Sequence, residues 1–495
     1  MKKTIYFWIC CSLLFLVQSE IFAEEAQPVT PIKHYQDLKL PELNPIQVKH
    51  PERYVMENGL TVYLQEDHEV PLITAEMYIY VGARWEPVEK AGLASITGEV
   101  IRTGGSERFP GDALDEELDR NAVRLEVGIG ANNGGVSLSC LKETFERGLE
   151  IMADIVRSPS FPQEKIDLCK RELIGSIQRR NDEAGGICSR EFNRLIYGTN
   201  TAYGHQSEIL TVMAITREDI VEFHRSYFQP QNMILGIVGD FDTAQMKEML
   251  NRCFGSWEKG SAPRPVPPAL DEEISKTGGI FLVEKTDVEQ SFIRMGHLGG
   301  LQSDQDYYAM SLLNYILGGG FSSRLFCNVR SDKGLAYSVG SHWQAGMDVP
   351  GIFVAAGSTR NSATVEFIET VRAEIENICR NGVTEEELNH ARESALNRFV
   401  FAYDSAGKIM RRLIYYEYFG YPADRLEHYI ENIRKVTRED ILAAARKHLH
   451  PDNLVVLVVG NPAEFGKPLS KLGEVQKIDI TIPGAPARVL REVVE

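Results

Sequence analysis

Thr216-Arg-Glu-Asp-Ile220 recurs as Thr437-Arg-Glu-Asp-Ile441, and the sequence after each copy keeps the same register. The other paired positions, all 221 residues apart, are Arg225 and Arg446, Pro230 and Pro451, Asn232 and Asn453, Val238 and Val459, and Gly239 and Gly460. In each copy the threonine predicts a helix N-cap, and a β-branched run that ends at glycine predicts a buried strand. Because solenoid repeats have periods of only about 20–50 residues, the offset indicates two copies of one domain.

The order of the predicted elements around this repeat is typical of an α+β fold. In the first half, residues 61–64 and 73–81 alternate as strands, and residues 92–102 form an amphipathic helix. A hairpin signal at residues 132–135 lies inside a further strand pattern, and two helical segments follow. The second half repeats this order. The sequence therefore predicts two homologous halves, each a mainly antiparallel sheet covered by helices.

The two ends and the middle of the chain have compositions that differ from these domains. Lys2 and Lys3 precede an apolar run, and residues 21–23 form a plausible signal-peptidase site. Residues 261–268 are rich in proline, which indicates a stiff, extended linker. The predicted segments are a signal peptide at 1–23, an extended lead at 24–48, a first domain at 49–260, a linker at 261–277, a second domain at 278–466 and a tail at 467–495.

The signal peptide predicts a secreted, periplasmic protein. A retained membrane anchor is the alternative, but the apolar run is shorter than the ~20 residues that a membrane span needs. No later run is long enough to span, so no stable membrane span is expected after cleavage.

Charge and motif content exclude several classes of protein. The 495 residues carry a formal net charge of −17, which argues against nucleic-acid binding because phosphates require a basic face. Nucleotide binding is also not expected, since the glycine clusters lack the G-x-x-x-x-G-K-[ST] pattern. An acidic surface on a secreted protein would suit basic peptide substrates.

A block of motifs in the second half is the most distinctive part of the sequence. These motifs are Asp306-Tyr-Tyr-Ala309, Leu317-Gly-Gly-Gly-Phe-Ser-Ser-Arg-Leu-Phe326, Val329-Arg330 and Gly334-Leu-Ala-Tyr-Ser338. Together with Asn58-Gly-Leu-Thr-Val62 in the first half, they resemble the pitrilysin/insulinase family, which includes mitochondrial processing peptidase. The resemblance covers about residues 50–465. It implies two similar halves arranged as a clam shell, with an inverted zinc motif, H-x-x-E-H, on the first helix.

The helix that aligns with the zinc motif departs from it. Ser95 and Glu99 stand at the two histidine positions, and Gly98 stands at the position of the general base. Glu172 matches the glutamate that is the third zinc ligand in the family. Carboxylates without an imidazole make a poor zinc site, because zinc favours nitrogen and sulfur ligands. No metal or other cofactor is therefore expected in this chain, and zinc is expected in a partner subunit.

The resemblance also assigns roles to residues outside the zinc motif. Arg330 and Tyr337 match an arginine and a tyrosine that reach the zinc site in active relatives, where the tyrosine stabilises the oxyanion and the arginine holds substrate. The alternative is an ordinary ion-paired arginine and a plain strand tyrosine. Leu125, Val127 and Ile129 match the strand to which relatives add an extended substrate peptide, although a plain sheet strand explains them equally well.

These features predict the non-catalytic subunit of a secreted zinc metallopeptidase of the processing-peptidase type. Such a chain is inactive alone, binds peptide substrate, and supplies Arg330 and Tyr337 to the active site of a homologous partner chain with the H-x-x-E-H motif. Two alternatives remain open. One is a peptide-binding or scaffolding protein of the cell envelope with no catalytic role, and the other is a lone hydrolase with an unusual site.

Overall fold

A computed structural model of the chain describes residues 50–270 and 278–484. The predicted signal peptide at 1–23 and the lead at 24–48 lie outside the described residues, as does the end of the predicted linker. Within the described ranges, no helix combines the length and the apolar composition that a membrane crossing requires.

The first half contains a six-stranded sheet in the order β1-β2-β6-β3-β5-β4. Its strands are β1 (Glu52–Val55), β2 (Thr61–Glu66), β3 (Leu72–Ile79), β4 (Arg124–Ile129), β5 (Gly134–Leu141) and β6 (Met233–Gly239). All pairs are antiparallel except β2 with β6. Every residue of β6 is buried, which is typical of a strand covered on both faces.

Eight α-helices accompany this sheet within the described residues. They are α1 (Leu93–Gly104), α2 (Gly111–Arg120), α3 (Phe145–Arg157), α4 (Gln163–Arg179), α5 (Ala184–Tyr197), α6 (Ile209–Ala214), α7 (Arg217–Tyr227) and α8 (Thr243–Phe254). Helices α1, α3 and α4 bury their apolar stripes against the sheet or one another, in one continuous core. This core holds α1, the helix of the degenerate motif, against strand β4.

The second half repeats the six-stranded sheet, in the order β12-β7-β11-β8-β10-β9. Its strands are β7 (Gly279–Glu284), β8 (Gln290–Leu298), β9 (Ala336–Gln344), β10 (Ile352–Arg360), β11 (Val455–Gly460) and β12 (Val475–Lys477). Its α-helices are α9 (Tyr307–Gly318), α10 (Thr364–Asn381), α11 (Glu385–Ala402), α12 (Ala406–Phe419), α13 (Arg425–Lys435) and α14 (Arg438–His448). Strand β12 comes from the predicted tail and pairs with β7, so this part of the tail extends the sheet.

The sequence repeat corresponds to the same helix cap in both halves. Thr216 accepts a hydrogen bond from the backbone N–H of Asp219, whose carboxylate accepts one from the N–H of Thr216. Thr437 and Asp440 make the same reciprocal pair at the start of α14. Each pair satisfies N–H groups that would otherwise lack an acceptor at a helix start. The predicted fold class, α+β with two homologous halves, is thus confirmed.

The two halves exchange one helix each. Helix α5 of the first half packs on strands β8 and β11 of the second sheet, and α12 of the second half packs on β2, β3 and β6 of the first. The rings of Tyr80 and Tyr418 stack in the second of these contacts, with centroids 4.1 Å apart. Because the central strands are apolar on both faces, each sheet needs a second cover, and the other half supplies it.

Polar contacts add to this exchange. Arg53 binds the carboxylate of Glu417 through two nitrogens, at 2.8 and 2.7 Å. Arg84, which is almost fully buried, lies 2.8 Å from Asp348 of the second half. A buried pair of this kind holds the halves together chiefly because either charge would be costly if it were left without the other.

Candidate functional site

Helix α1 presents the degenerate motif on one face. Ser95 and Glu99 are both exposed, one helical turn apart, as the two histidines of a zinc motif would be. Gly98 is buried on the adjacent face. A serine hydroxyl and one carboxylate therefore occupy the positions from which two imidazoles would grip a metal ion.

Gly98 lies against the backbone of strand β4. A Cβ atom added at position 98 would lie 2.8 Å from the backbone nitrogen of Ile129 and 3.2 Å from the backbone of Gly128. Real Cβ contacts are not this short, and the obstacle is main chain rather than a flexible side chain. The glycine thus permits a close approach of α1 to β4 that leaves no room for the side chain of a general base.

Strand β4 is an edge strand, and the three residues predicted to bind substrate lie on it. Leu125 and Val127 are buried and Ile129 is half-buried, so these side chains belong to the core of the first half. The carbonyl oxygen of Leu125 accepts a hydrogen bond of 2.7 Å from Nε of Arg102. The side chains of Leu125 and Val127 are therefore not available to a peptide strand, and one backbone carbonyl of β4 already has a partner.

Glu172 is exposed on α4, in the same region as Glu99. The thiol of Cys169 lies near both carboxylates, and burial, reinforced by their negative charges, raises its pKa to about 12. The thiol is therefore protonated at neutral pH when no metal ion is bound. The residues at this position do not fit the zinc ion that the motif binds elsewhere.

The only group of three metal-competent side chains in the described ranges lies elsewhere. Asp304, Asp306 and His448 offer ligand atoms within 4.8 Å of one another, near the start of α9. The ammonium of Lys447 lies 2.9 Å from Asp306, so one of the two carboxylates already has a cationic partner.

A buried polar network orients helix α1. The carboxylate of Glu86 accepts hydrogen bonds from the N–H groups of Gly92, at 2.9 Å, and Ala94, at 2.7 Å. His205 lies 3.0 Å from the same carboxylate through Nε2, and 2.9 Å from the carbonyl oxygen of Thr201 through Nδ1. Because both ring nitrogens face acceptors, the imidazolium form is favoured, and the hydrogen bond to Glu86 raises the pKa of His205.

We expect Glu86→Ala to lower the free energy of unfolding by about 3–5 kcal/mol at pH 6, because it leaves a buried imidazolium and two helix N–H groups without their acceptor. Because the pKa of His205 is raised in the fold, its protonated ring stabilises the folded state. This stabilisation is complete at pH values below the ordinary histidine pKa of 6.5, and it is lost as the pH rises through the raised pKa. The destabilisation measured by urea unfolding should therefore be smaller at pH 8.5 than at pH 6.

The buried His224 provides the control for this experiment. Desolvation lowers its pKa to about 4, and among the described residues its only hydrogen-bond partner is the carbonyl of Val156. Because the fold holds His224 neutral, only the unfolded state binds a proton at this residue as the pH falls below 6.5, and the fold loses stability there. His224→Gln should therefore not reproduce the pH dependence of Glu86→Ala. A Glu86→Ala effect of equal size at both pH values would show that no charged imidazole is involved.

The second half brings Arg330 and Tyr337 together. Arg330 lies on a short π-helix (Phe326–Asp332) and Tyr337 at the start of β9, with 81% of its surface exposed. The guanidinium carbon of Arg330 is 5.2 Å from the ring centroid of Tyr337 and 4.7 Å from that of Phe326. In the described part of the chain no carboxylate pairs with this guanidinium, and no contact joins this pair to Ser95, Glu99 or Glu172.

A cavity of about 640 Å³ lies beside this pair. Its walls come from strands β8, β9 and β10, from Gly318–Gly320 at the end of α9, and from the first turn of α5. Arg330 lines it, and so does Arg294 of β8, which belongs to none of the sequence motifs described above. In the sequence, the one signal for Arg294 is that it is the single charged residue among the otherwise apolar residues 292–295.

Comparison with families of known proteins identifies two matching regions. Residues 61–199 match the model of "Insulinase (Peptidase family M16)", and residues 214–395 match that of "Peptidase M16 inactive domain". Together the matches cover more than half of the chain. A curated relative, "Uncharacterized zinc protease YmxG" of Bacillus subtilis, is 24% identical over 82% of this chain and 98% of its own length. "Non-peptidase homolog YmxG" of Helicobacter pylori is 21% identical over 81% of this chain and 91% of its own length.

Solved structures share the fold. The peptidase M16 inactive domain from Pseudomonas fluorescens superimposes with a TM-score of 0.75 at 24% identity, and covers 85% of this chain and 100% of its own. The periplasmic protease PqqL from Escherichia coli has a TM-score of 0.71 at 15% identity, over 91% of this chain and 50% of its own. These similarities agree with the two halves described above.

Proposed function

The chain belongs to the insulinase (M16) peptidase family as a homologue without the H-x-x-E-H motif, and from this we propose that it is the non-catalytic subunit of a two-chain zinc peptidase. Its partner is a homologous chain that carries the motif and the zinc ion. The predicted N-terminal signal sequence supports a periplasmic location for the complex. The single observation that carries the proposal is the contrast between the two halves of the molecule.

The first half has lost the means of metal catalysis. It offers no imidazole at positions 95 and 99, and β4 backbone fills the space of the general base beside Gly98. The second half keeps Arg330 and Tyr337 side by side next to a cavity, with the tyrosine exposed to whatever approaches. The hydroxyl group of Tyr337 is exposed, and the guanidinium of Arg330 has no acidic partner among the described residues, so both groups are available to a molecule that approaches the cavity.

Each of the two side chains has a definable task in peptide hydrolysis. The Tyr337 hydroxyl donates a hydrogen bond to the oxygen that becomes negative when a carbonyl is attacked. The Arg330 guanidinium binds a peptide carbonyl or carboxylate and thereby holds the substrate. A zinc ion held by the partner chain would supply the activated water. Stabilising the developing charge is what this chain would contribute to the shared site.

The test is reconstitution with an H-x-x-E-H homologue encoded by the same genome. We expect each chain alone to cleave a fluorogenic peptide library slowly or not at all, and the co-purified pair to cleave it at least tenfold faster. A pair that is no faster than the partner alone would contradict the catalytic role.

The competing proposal is a peptide-binding or scaffolding protein with no catalytic role. The Helicobacter relative's description as a non-peptidase homologue favours it. The two proposals differ in one measurable respect, because only the shared-site proposal requires that a zinc-bearing homologue associates with this chain and gains activity from it.

A further inference from the structure

The cavity beside Arg330 has a charge opposite to that of the protein. The whole chain has 70 acidic and 53 basic residues. In contrast, the described residues that line this cavity include two arginines, Arg294 and Arg330, and no aspartate or glutamate. His342 and Cys188 are its other titratable groups. Burial raises the pKa of the Cys188 thiol to about 12, so the thiol remains neutral and cannot balance the arginines.

Arg294 lies in a trough of small residues. In the sheet register, Arg294 of β8 is opposite Ala356 of β10, which is opposite Gly340 of β9. The next row places Ser358 opposite Ser338. Small side chains and two hydroxyl groups therefore form the floor on the cavity side of β9 and β10, and they leave space above them next to the arginine.

Neither guanidinium has a counter-ion among the residues that the structure describes. Within residues 50–270 and 278–484, the side chain of Arg294 makes no hydrogen bond or ion pair, and the guanidinium of Arg330 contacts only the rings of Phe326 and Tyr337. Both arginines are half-buried. Charged groups removed from water are normally paired, so two half-buried cations in one cavity indicate that an anion completes the site.

The surroundings of the cavity suit an extended peptide. Strand β9 is the outer strand of its sheet, so one side of its backbone is free to pair with another strand. Two aromatic side chains, Phe321 and Tyr337, are each 81% exposed, and Phe321 is one of the cavity's lining residues. Main-chain pairing along β9 would hold the added strand at the edge of the sheet, and a side chain or the end of the peptide would extend from there over β9 and β10 towards the two arginines.

We propose that the cavity between β8, β9 and the π-helix binds a carboxylate group of an extended peptide, with Arg294 and Arg330 as its two cationic partners. The carboxylate is either the C-terminus of the peptide or an acidic side chain. The proposal rests on the peptide-binding role proposed above and specifies its ligand. It reverses the expectation from net charge, which favoured basic peptides, because the local charge of the cavity is positive.

The test measures the binding of four fluorescein-labelled octapeptides of alternating threonine and valine to the full mature chain. The first has a C-terminal amide and a central glutamine, and the second differs only in its free C-terminal carboxylate. The third and fourth are amidated and carry a central glutamate or lysine. We expect the second or the third to bind on the order of tenfold more tightly than the first, and the lysine peptide to bind most weakly.

Variants assign this preference to the cavity. Arg294→Gln should remove the preference for a carboxylate, and Arg294→Lys should keep part of it, because a lysine retains the charge without the bidentate geometry. Arg434→Gln is the matched control, since Arg434 is an exposed arginine at the end of α13. Urea unfolding of each variant verifies that the comparison concerns folded protein.

The outcomes separate the two proposals. Equal binding of all four peptides, or a carboxylate preference that survives in folded Arg294→Gln, would overturn the anion site and leave the peptide-binding role intact. Binding of none of the four would overturn both. A preference for the second peptide identifies the C-terminus as the ligand group, and a preference for the third identifies an acidic side chain.

Discussion

Replacement of Tyr337 by phenylalanine is expected to lower kcat of the reconstituted complex by about 10²–10³-fold, the loss typical of one oxyanion donor. The substitution removes only a hydroxyl group from a residue that is 81% exposed, so folding and assembly should be unaffected. Arg330→Ala is expected to raise KM more than it lowers kcat, because the guanidinium is proposed to hold substrate in the ground state as well.

The measurement is steady-state cleavage of a fluorogenic peptide by the co-purified pair. Tyr54→Phe is a suitable control, since Tyr54 also lies on a strand and its hydroxyl has no hydrogen bond among the described residues. If Tyr337→Phe and Arg330→Ala both leave kcat/KM within twofold of the unmodified complex, this chain does not contribute to the partner's active site.

The second large effect is expected from an attempt to restore the zinc motif. Gly98→Glu should lower the free energy of unfolding by about 3 kcal/mol or more, because it overpacks the contact between α1 and β4 and buries a carboxylate there. The Cβ alone would lie 2.8 Å from the backbone nitrogen of Ile129, so α1 and β4 would have to separate.

The double variant Ser95→His/Glu99→His is the matched control. Both positions are exposed on α1, so the double variant should remain within about 0.5 kcal/mol of the parent in urea unfolding. It should also show no peptidase activity, since it has no general base. A triple variant that includes Gly98→Glu, folds as stably as the double variant and cleaves peptides would show that the space beside Gly98 opens readily.

The family resemblance and the fold class were both predictable, and both are confirmed. Both predictions rest on patterns of neighbouring residues. The threonine caps at positions 216 and 437 accept hydrogen bonds from helix N–H groups three residues later in the chain. The β-branched runs that follow form the central strands β6 and β11. Such signals depend on neighbours in the chain, so they survive in the sequence.

Other features were not predictable from local patterns. Nothing in the sequence of α5 or α12 tells which sheet each helix covers, because an amphipathic stripe fits any apolar surface. The burial of Leu125 and Val127 likewise depended on which face of β4 meets the core. Arg294 became a candidate only when β8, β9 and β10 placed it in the same cavity as Arg330, 36 positions later in the chain.

The sequence by itself determined that the chain is a duplicated α+β domain and that α1 lacks the histidines of a zinc site, because residue identity and spacing are sufficient for both. Only the tertiary structure decided that β4 backbone fills the space beside Gly98, and that one cavity holds two arginines with no acidic partner in the described part of the chain. These facts depend on distances between segments that are far apart in the chain. Such distances are set by the packing of whole sheets and helices, which local sequence patterns do not encode.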